Sequence, residues 1–194
     1  MSGASAGSSK FNNIGAILEI IVTCGPAKGS QNAFLATRLP GHVRDIFNVI
    51  GMGVTEDPDL APAIQDAQDF NLPYVGAKPG NGAALHDHPT VEVFVVVSGQ
   101  WSVIWGDEGE ESVDLGPMDV ISVPPGVMRG FRNIGSEHGY LMAILGGTDA
   151  GKVTWAKKVM DDARDSGLDL DLSLIHISEP TRPRLISYAV FCLK

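Results

Sequence analysis

Gly80-Asn-Gly-Ala-Ala-Leu-His86-Asp-His88-Pro-Thr-Val-Glu92-Val-Phe-Val-Val-Val-Ser-Gly99 is the stretch that decides the fold. His86 and His88 stand at i, i+2 and so share one face of a strand. Glu92 has the same parity, but on a straight strand it would lie about 20 Å from His86, too far to share an ion. Pro89 and Thr90 lie between them, and proline favours a turn over a continued ladder. A reversal at Pro89-Thr90 makes a hairpin whose returning strand starts at Glu92 and faces the two histidines. Two imidazoles and one carboxylate then converge. This is the 2-His-1-carboxylate set, which leaves open positions on Fe(II) or a similar divalent ion.

Outward from this hairpin the chain reads as short strands at roughly ten-residue spacing, separated by glycine and proline. Candidate strands are 33–39, 45–54, 71–77, 91–97, 100–105, 119–123, 128–133 and 140–145. Residues 56–67 are acidic and proline-broken, so a loop with at most one helical turn is expected. Residues 106–111 read as a polar hairpin tip. Helical spacing appears only late, over 155–166, with Trp155, Val159, Met160 and Ala163 on one side and Gly167 as the stop. Strands without intervening helices predict an all-β sandwich or barrel, with this one helix packed outside.

Composition agrees. The 194 residues suit one compact domain with short ends. Hydrophobic residues make 44% of the chain, and 23 glycines and 12 prolines make it turn-rich. The formal net charge of −9, without any basic cluster, argues against a nucleic-acid partner. Cys24 and Cys192 form no disulfide framework, which points to a reducing compartment and a cytoplasmic protein. The apolar run 14–24 is too short for a membrane span and carries Glu19; a buried strand is expected there.

Gly80-(x)5-His86-x-His88-(x)3-Glu92-(x)6-Gly99 resembles the first motif of the cupin family, with every defining residue and spacing present. Pro124-x-Gly126-(x)2-Arg129-(x)3-Asn133 resembles its second motif, altered at two places. Arg129 stands where a third metal-binding histidine is usual, and Met118 where a glycine is usual. The short segment between the motifs is like that of bacterial members. The resemblance covers about 71–145. It implies a jelly-roll barrel, or double-stranded β-helix, with the ligands pointing inward. It also implies pairing into a homodimer. The expected divisions are a leader over 1–32, a barrel over 33–150, a C-terminal helix over 151–171, and a tail from 172.

Arg129 has no lone pair for a metal and cannot deprotonate. Three readings stand. It clamps the oxyanion of a substrate bound to a metal on His86, His88 and Glu92; it pairs with Glu92 in a metal-free barrel; or it faces solvent at the mouth. By parity, Phe94 continues inward from Glu92, and Phe131 and Asn133 share a face with Arg129. Phe94, Arg129, Phe131 and Asn133 are therefore the candidate pocket, and Asn133 is assigned to the support of the metal ligands. Gly146-(x)4-Gly151-Lys152 imitates a phosphate-binding loop, but Val153 replaces the required Ser or Thr.

The expected function is that of a cupin metalloprotein. A mononuclear divalent ion (Fe, Mn, Ni or Zn) acts on a small oxygen-bearing, anionic molecule, with dioxygenase chemistry the most natural and decarboxylase, isomerase or lyase chemistry open. Glu92 and Arg129 are the candidate catalytic residues. The alternative is a metal-free cupin binding a sugar or phenolic acid as a sensor or accessory protein. No membrane partner is expected.

The C-terminal residues stand apart. Leu172-Ser-Leu-Ile-His-Ile-Ser-Glu-Pro-Thr-Arg182 resembles, residue for residue, the translation of a transposase sequencing adapter, and 186–193 resembles that adapter's far end. Residues 172–194 are accordingly expected to be a non-native tail, and His176 and Cys192 are no candidates for chemistry.

Overall fold

The computed structural model describes residues 29–57, 59–171 and 176–178; the apolar run 14–24 and most of the tail lie outside them. Ten strands form two antiparallel five-stranded sheets. They are β1 (Asp45–Ile50), β2 (Phe70–Ala77), β3 (Gly82–Asp87), β4 (Glu92–Ser98), β5 (Trp101–Trp105), β6 (Glu111–Leu115), β7 (Val120–Val123), β8 (Arg129–Asn133), β9 (Gly139–Gly146) and β10 (Thr154–Trp155). One sheet runs β1-β2-β9-β4-β7 and the other β10-β3-β8-β5-β6. One α-helix among the described residues, α1 (Lys157–Asp165), follows. The two sheets face each other as a jelly roll, as the strand spacing predicts.

Alternation builds the interior. Phe94 and Val96 of β4, Trp101 and Val103 of β5, and Leu141, Ala143 and Leu145 of β9 are all buried. Phe131 of β8 joins the layers, edge-on to Phe94 at 5.2 Å and to Trp101 at 5.8 Å between ring centres. Glycine is needed where the backbones crowd. A Cβ on Gly82 would stand 1.8 Å from the carbonyl oxygen of Phe131, inside the β3–β8 ladder. The motif glycines Gly80, Gly99 and Gly126 each turn the chain at positive φ.

Three local expectations need correction. Residues 33–39 are not a strand: Leu35–Arg38 form a 3-10 turn, capped by the Glu56 carboxylate, which accepts from Leu35 N at 2.6 Å. The strand at 45 stops at Ile50, because Gly51 takes φ 70° and leaves the ladder. Trp155 belongs to β10, paired with His86 of β3, and the helix begins only at Lys157. Val159 and Ala163 are its buried face. Past it, β11 (Asp169–Asp171) pairs with β12 (His176–Ser178) in a two-stranded ribbon. Among the described residues no helix is long and apolar enough to cross a membrane.

A candidate metal centre with an arginine inserted

The reversal after His88 exists, but it is not a hairpin. β3 pairs with β8 and β10, whereas β4 pairs with β7 and β9. Pro89-Thr90 carries the chain from one sheet to the opposite one. His86 and Glu92 thus face each other across the barrel rather than along a ladder. His88 lies one residue beyond the end of β3. All three are buried, and one ligand atom from each lies within 4.8 Å of the others.

The imidazoles are oriented from behind. His86 Nδ1 lies 2.7 Å from the carbonyl oxygen of Ala84. A carbonyl can only accept, so Nδ1 carries the proton and Nε2 keeps its lone pair. His88 Nδ1 lies 3.2 Å from Thr90 Oγ1, whose own hydroxyl donates to Ala150 O at 3.4 Å. By the same accounting, His88 Nε2 holds a lone pair. It stands 3.0 Å from Glu92 Oε2. Burial pushes the His86 imidazole down to about 4, so it is neutral near neutral pH and free to act as a ligand. Burial alone would raise the Glu92 carboxyl, but its polar neighbours, the His88 ring and the Arg129 guanidinium among them, hold it below the usual range.

Two lone-pair atoms 3.0 Å apart repel each other unless a cation joins them. Here that cation is Arg129. Its Nε donates to Glu92 Oε2 at 3.1 Å, and its second terminal nitrogen meets His88 Nε2. The other terminal nitrogen donates to Asp87 Oδ1 at 2.9 Å and to Val127 O at 3.1 Å. Arg129 is fully buried, so the reading that turned it to solvent is overturned. The donor set fits a divalent ion in kind and spacing. An ion and the guanidinium could not hold the same two atoms together.

A pocket opens beside this centre. His86 and Glu92 line it together with Phe34, Arg44, Ile46, Asn48, Val54, Val75, Phe131, Ala143 and Leu145. Of the residues assigned to it from sequence, Phe131 is there. Phe94 is not: it packs in the core against Phe131. Arg129 lies behind Glu92, engaged by two carboxylates. Asn133 does not support the metal ligands. Its amide donates to Ala77 O and Glu137 O, both at 2.8 Å, and its oxygen accepts from Gly135 N at 2.9 Å, so it clamps a loop. Sequence reading missed Arg44. Its signal was the alternation Arg44-x-Ile46-x-Asn48, all buried, in which an apolar Ile46 facing inward takes both polar neighbours with it.

Comparison with known proteins follows this geometry. Residues 74–145 match the family model described as a cupin domain. The chain carries a cupin domain over these residues. Solved structures that resemble this cupin include the polyketide cyclase RemF from Streptomyces resistomycificus, 18% identical, with 69% of this chain and 82% of that one covered and a TM-score of 0.51. A cupin 2 domain-containing protein from Halorhodospira halophila is 19% identical over 63% of this chain and 77% of its own, at a TM-score of 0.49. A double-stranded β-helix protein from Klebsiella pneumoniae is 25% identical over 47% and 77%, at a TM-score of 0.43. The likeness to RemF speaks to the fold alone. No curated protein matches the chain.

Proposed function

We propose that this cupin is a metalloprotein in which His86, His88 and Glu92 hold one divalent ion and a small oxygen-bearing molecule enters from the adjoining pocket. The observation that carries this reading is the pair of anchored Nδ1 atoms. Both imidazoles are held from behind, by Ala84 and Thr90, so that Nε2 is left for the centre it shares with Glu92. Metal-binding histidines are characteristically fixed in this way. When bound, such an ion supplies Lewis acidity or oxygen activation, and dioxygenase chemistry is the use we assign to it. The chain's own contribution is different. Ile46, Val75, Phe131 and Leu145 wall the pocket with apolar surface, and Arg129 balances the charge of Glu92 and Asp87. In the same reading the protein works as a cytoplasmic homodimer.

One observation favours a second reading, a metal-free cupin that only binds its ligand. Arg129 already joins Glu92 Oε2 to His88 Nε2, which is the work an ion would do. Elemental analysis of natively purified protein, beside His86→Ala, separates the two. A stoichiometric first-row metal that is lost in the variant supports the metalloprotein. Metal-free wild type that gains no melting temperature from added Mn, Fe, Ni or Zn ions supports the binder.

A further inference from the structure

Arg129 was the expected anchor for an anionic ligand, and its two carboxylate partners remove it from that role. Another buried arginine is free of such partners. Arg44 is only 3% exposed and lines the same pocket as His86 and Glu92. One terminal nitrogen donates to His42 O at 3.1 Å and to Gly82 O at 3.3 Å, and the guanidinium carbon lies 4.8 Å from the centre of the Phe34 ring. Among the described residues it makes no ion pair; its nearest acidic influences, Glu56 and Glu92, act at a distance. A buried guanidinium held only by carbonyls and a ring face keeps N–H donors for an oxyanion. Apart from Asn48 and Thr55, the rest of the pocket wall is apolar, with Ile46, Val75, Phe131 and Leu145 among its residues. The interior room is about 40 Å³, roughly that of three waters.

We propose that Arg44 receives the charged end of the ligand, and that the ligand class is a short-chain carboxylate whose other end lies at His86 and Glu92. This rests on the reading of the pocket as a small-molecule site, but not on a metal being bound there. The planar fork of Arg44 suits the two oxygens of a carboxylate, and the apolar wall suits a body of a few carbons.

The test uses propionate and its neutral isostere propionamide, titrated by NMR into the full-length protein with and without metal. Propionate is expected to bind in the millimolar range and to shift the Arg44 side-chain resonances, and propionamide to bind at least about tenfold more weakly. Arg44→Lys keeps the charge and loses the fork, so propionate weakens about tenfold. Arg44→Met keeps the length and loses the charge, so binding falls about a hundredfold or more. Should Arg44→Met not fold, Arg44→Lys and the acid–amide comparison on wild type decide. Equal binding of acid and amide, no Arg44-dependent shift, or wild-type affinity in Arg44→Lys overturns the proposal. Propionate lost in His86→Ala but kept in Arg44→Met overturns the role of Arg44 and leaves the histidine site standing. Arg44-dependent binding in a protein that never takes up metal supports this inference and ends the metalloprotein reading alone.

Discussion

Replacing Arg129 by alanine tests the electrostatic account of the centre. At 3.1 Å between Arg129 Nε and Glu92 Oε2, with an effective dielectric constant of about 20, the attraction is about 5 kcal/mol. Both groups are buried, so removing the cation leaves Glu92 charged and unpaired. Breaking a buried pair in this way costs about 3–5 kcal/mol. For a chain of this size that is a fall in Tm of about 6–20 °C. The same change frees Glu92 Oε2 and His88 Nε2. A metal ion then enters without displacing a guanidinium, and its affinity rises about tenfold or more. At 100 times its Kd the ion returns about 2.7 kcal/mol to the variant, roughly 5–11 °C. Differential scanning calorimetry of metal-stripped wild type and Arg129→Ala, with and without zinc, measures both halves. A variant melting within about 2 °C of wild type refutes the buried pair. Zinc raising both proteins equally refutes the competition between ion and arginine.

Three further outcomes are expected. In metal-stripped protein, His42 and His86 are both held down to about 4, each chiefly by burial, whereas the unfolded chain takes up those protons near pH 6.5. The unfolded state therefore binds more protons between these values, so the urea midpoint is level above about pH 6.5 and falls as pH drops toward 4; a level midpoint across that window contradicts the burial of both rings. Asn133→Ala loses two donated bonds and one accepted bond, lowers stability by about 1–3 kcal/mol in urea unfolding, and leaves metal affinity unchanged; a loss of metal without loss of stability would return Asn133 to the ligand shell. Gly82→Ala puts a Cβ against the Phe131 carbonyl and is expected to yield no soluble folded protein, as checked by circular dichroism and gel filtration.

The fold was legible because its signals are local. Alternation along β4, with Phe94 and Val96 inward, and turn residues after nearly every strand fix a two-layer β architecture without any long-range information. The segment 33–39 misread because its apolar composition suits a strand as well as a buried turn; the Glu56 cap that decides it comes from 21 residues away. The convergence of His86, His88 and Glu92 was legible from parity and one proline. Its topology was not. A hairpin and a crossing between sheets place the same side chains together, and only the pairing of β3 with β8 tells them apart. The roles of the two arginines were illegible for the same reason. Nothing local to Arg129 reveals that Asp87 and Glu92 both reach it, and nothing local to Arg44 reveals that no carboxylate among the described residues pairs with it.

The pairing of β10 with β3 has one more consequence. It sets the indole of Trp155 5.4 Å from the His86 ring, with its N–H donating to Glu56 at 2.8 Å. The molecule thus carries its own optical gauge. A quenching metal or a protonated imidazole at His86 dims or shifts the emission of Trp155, while Trp101, packed against Phe131 three strands away in the same sheet, supplies a steady background. Fluorescence alone can follow the filling of the centre, with no label attached.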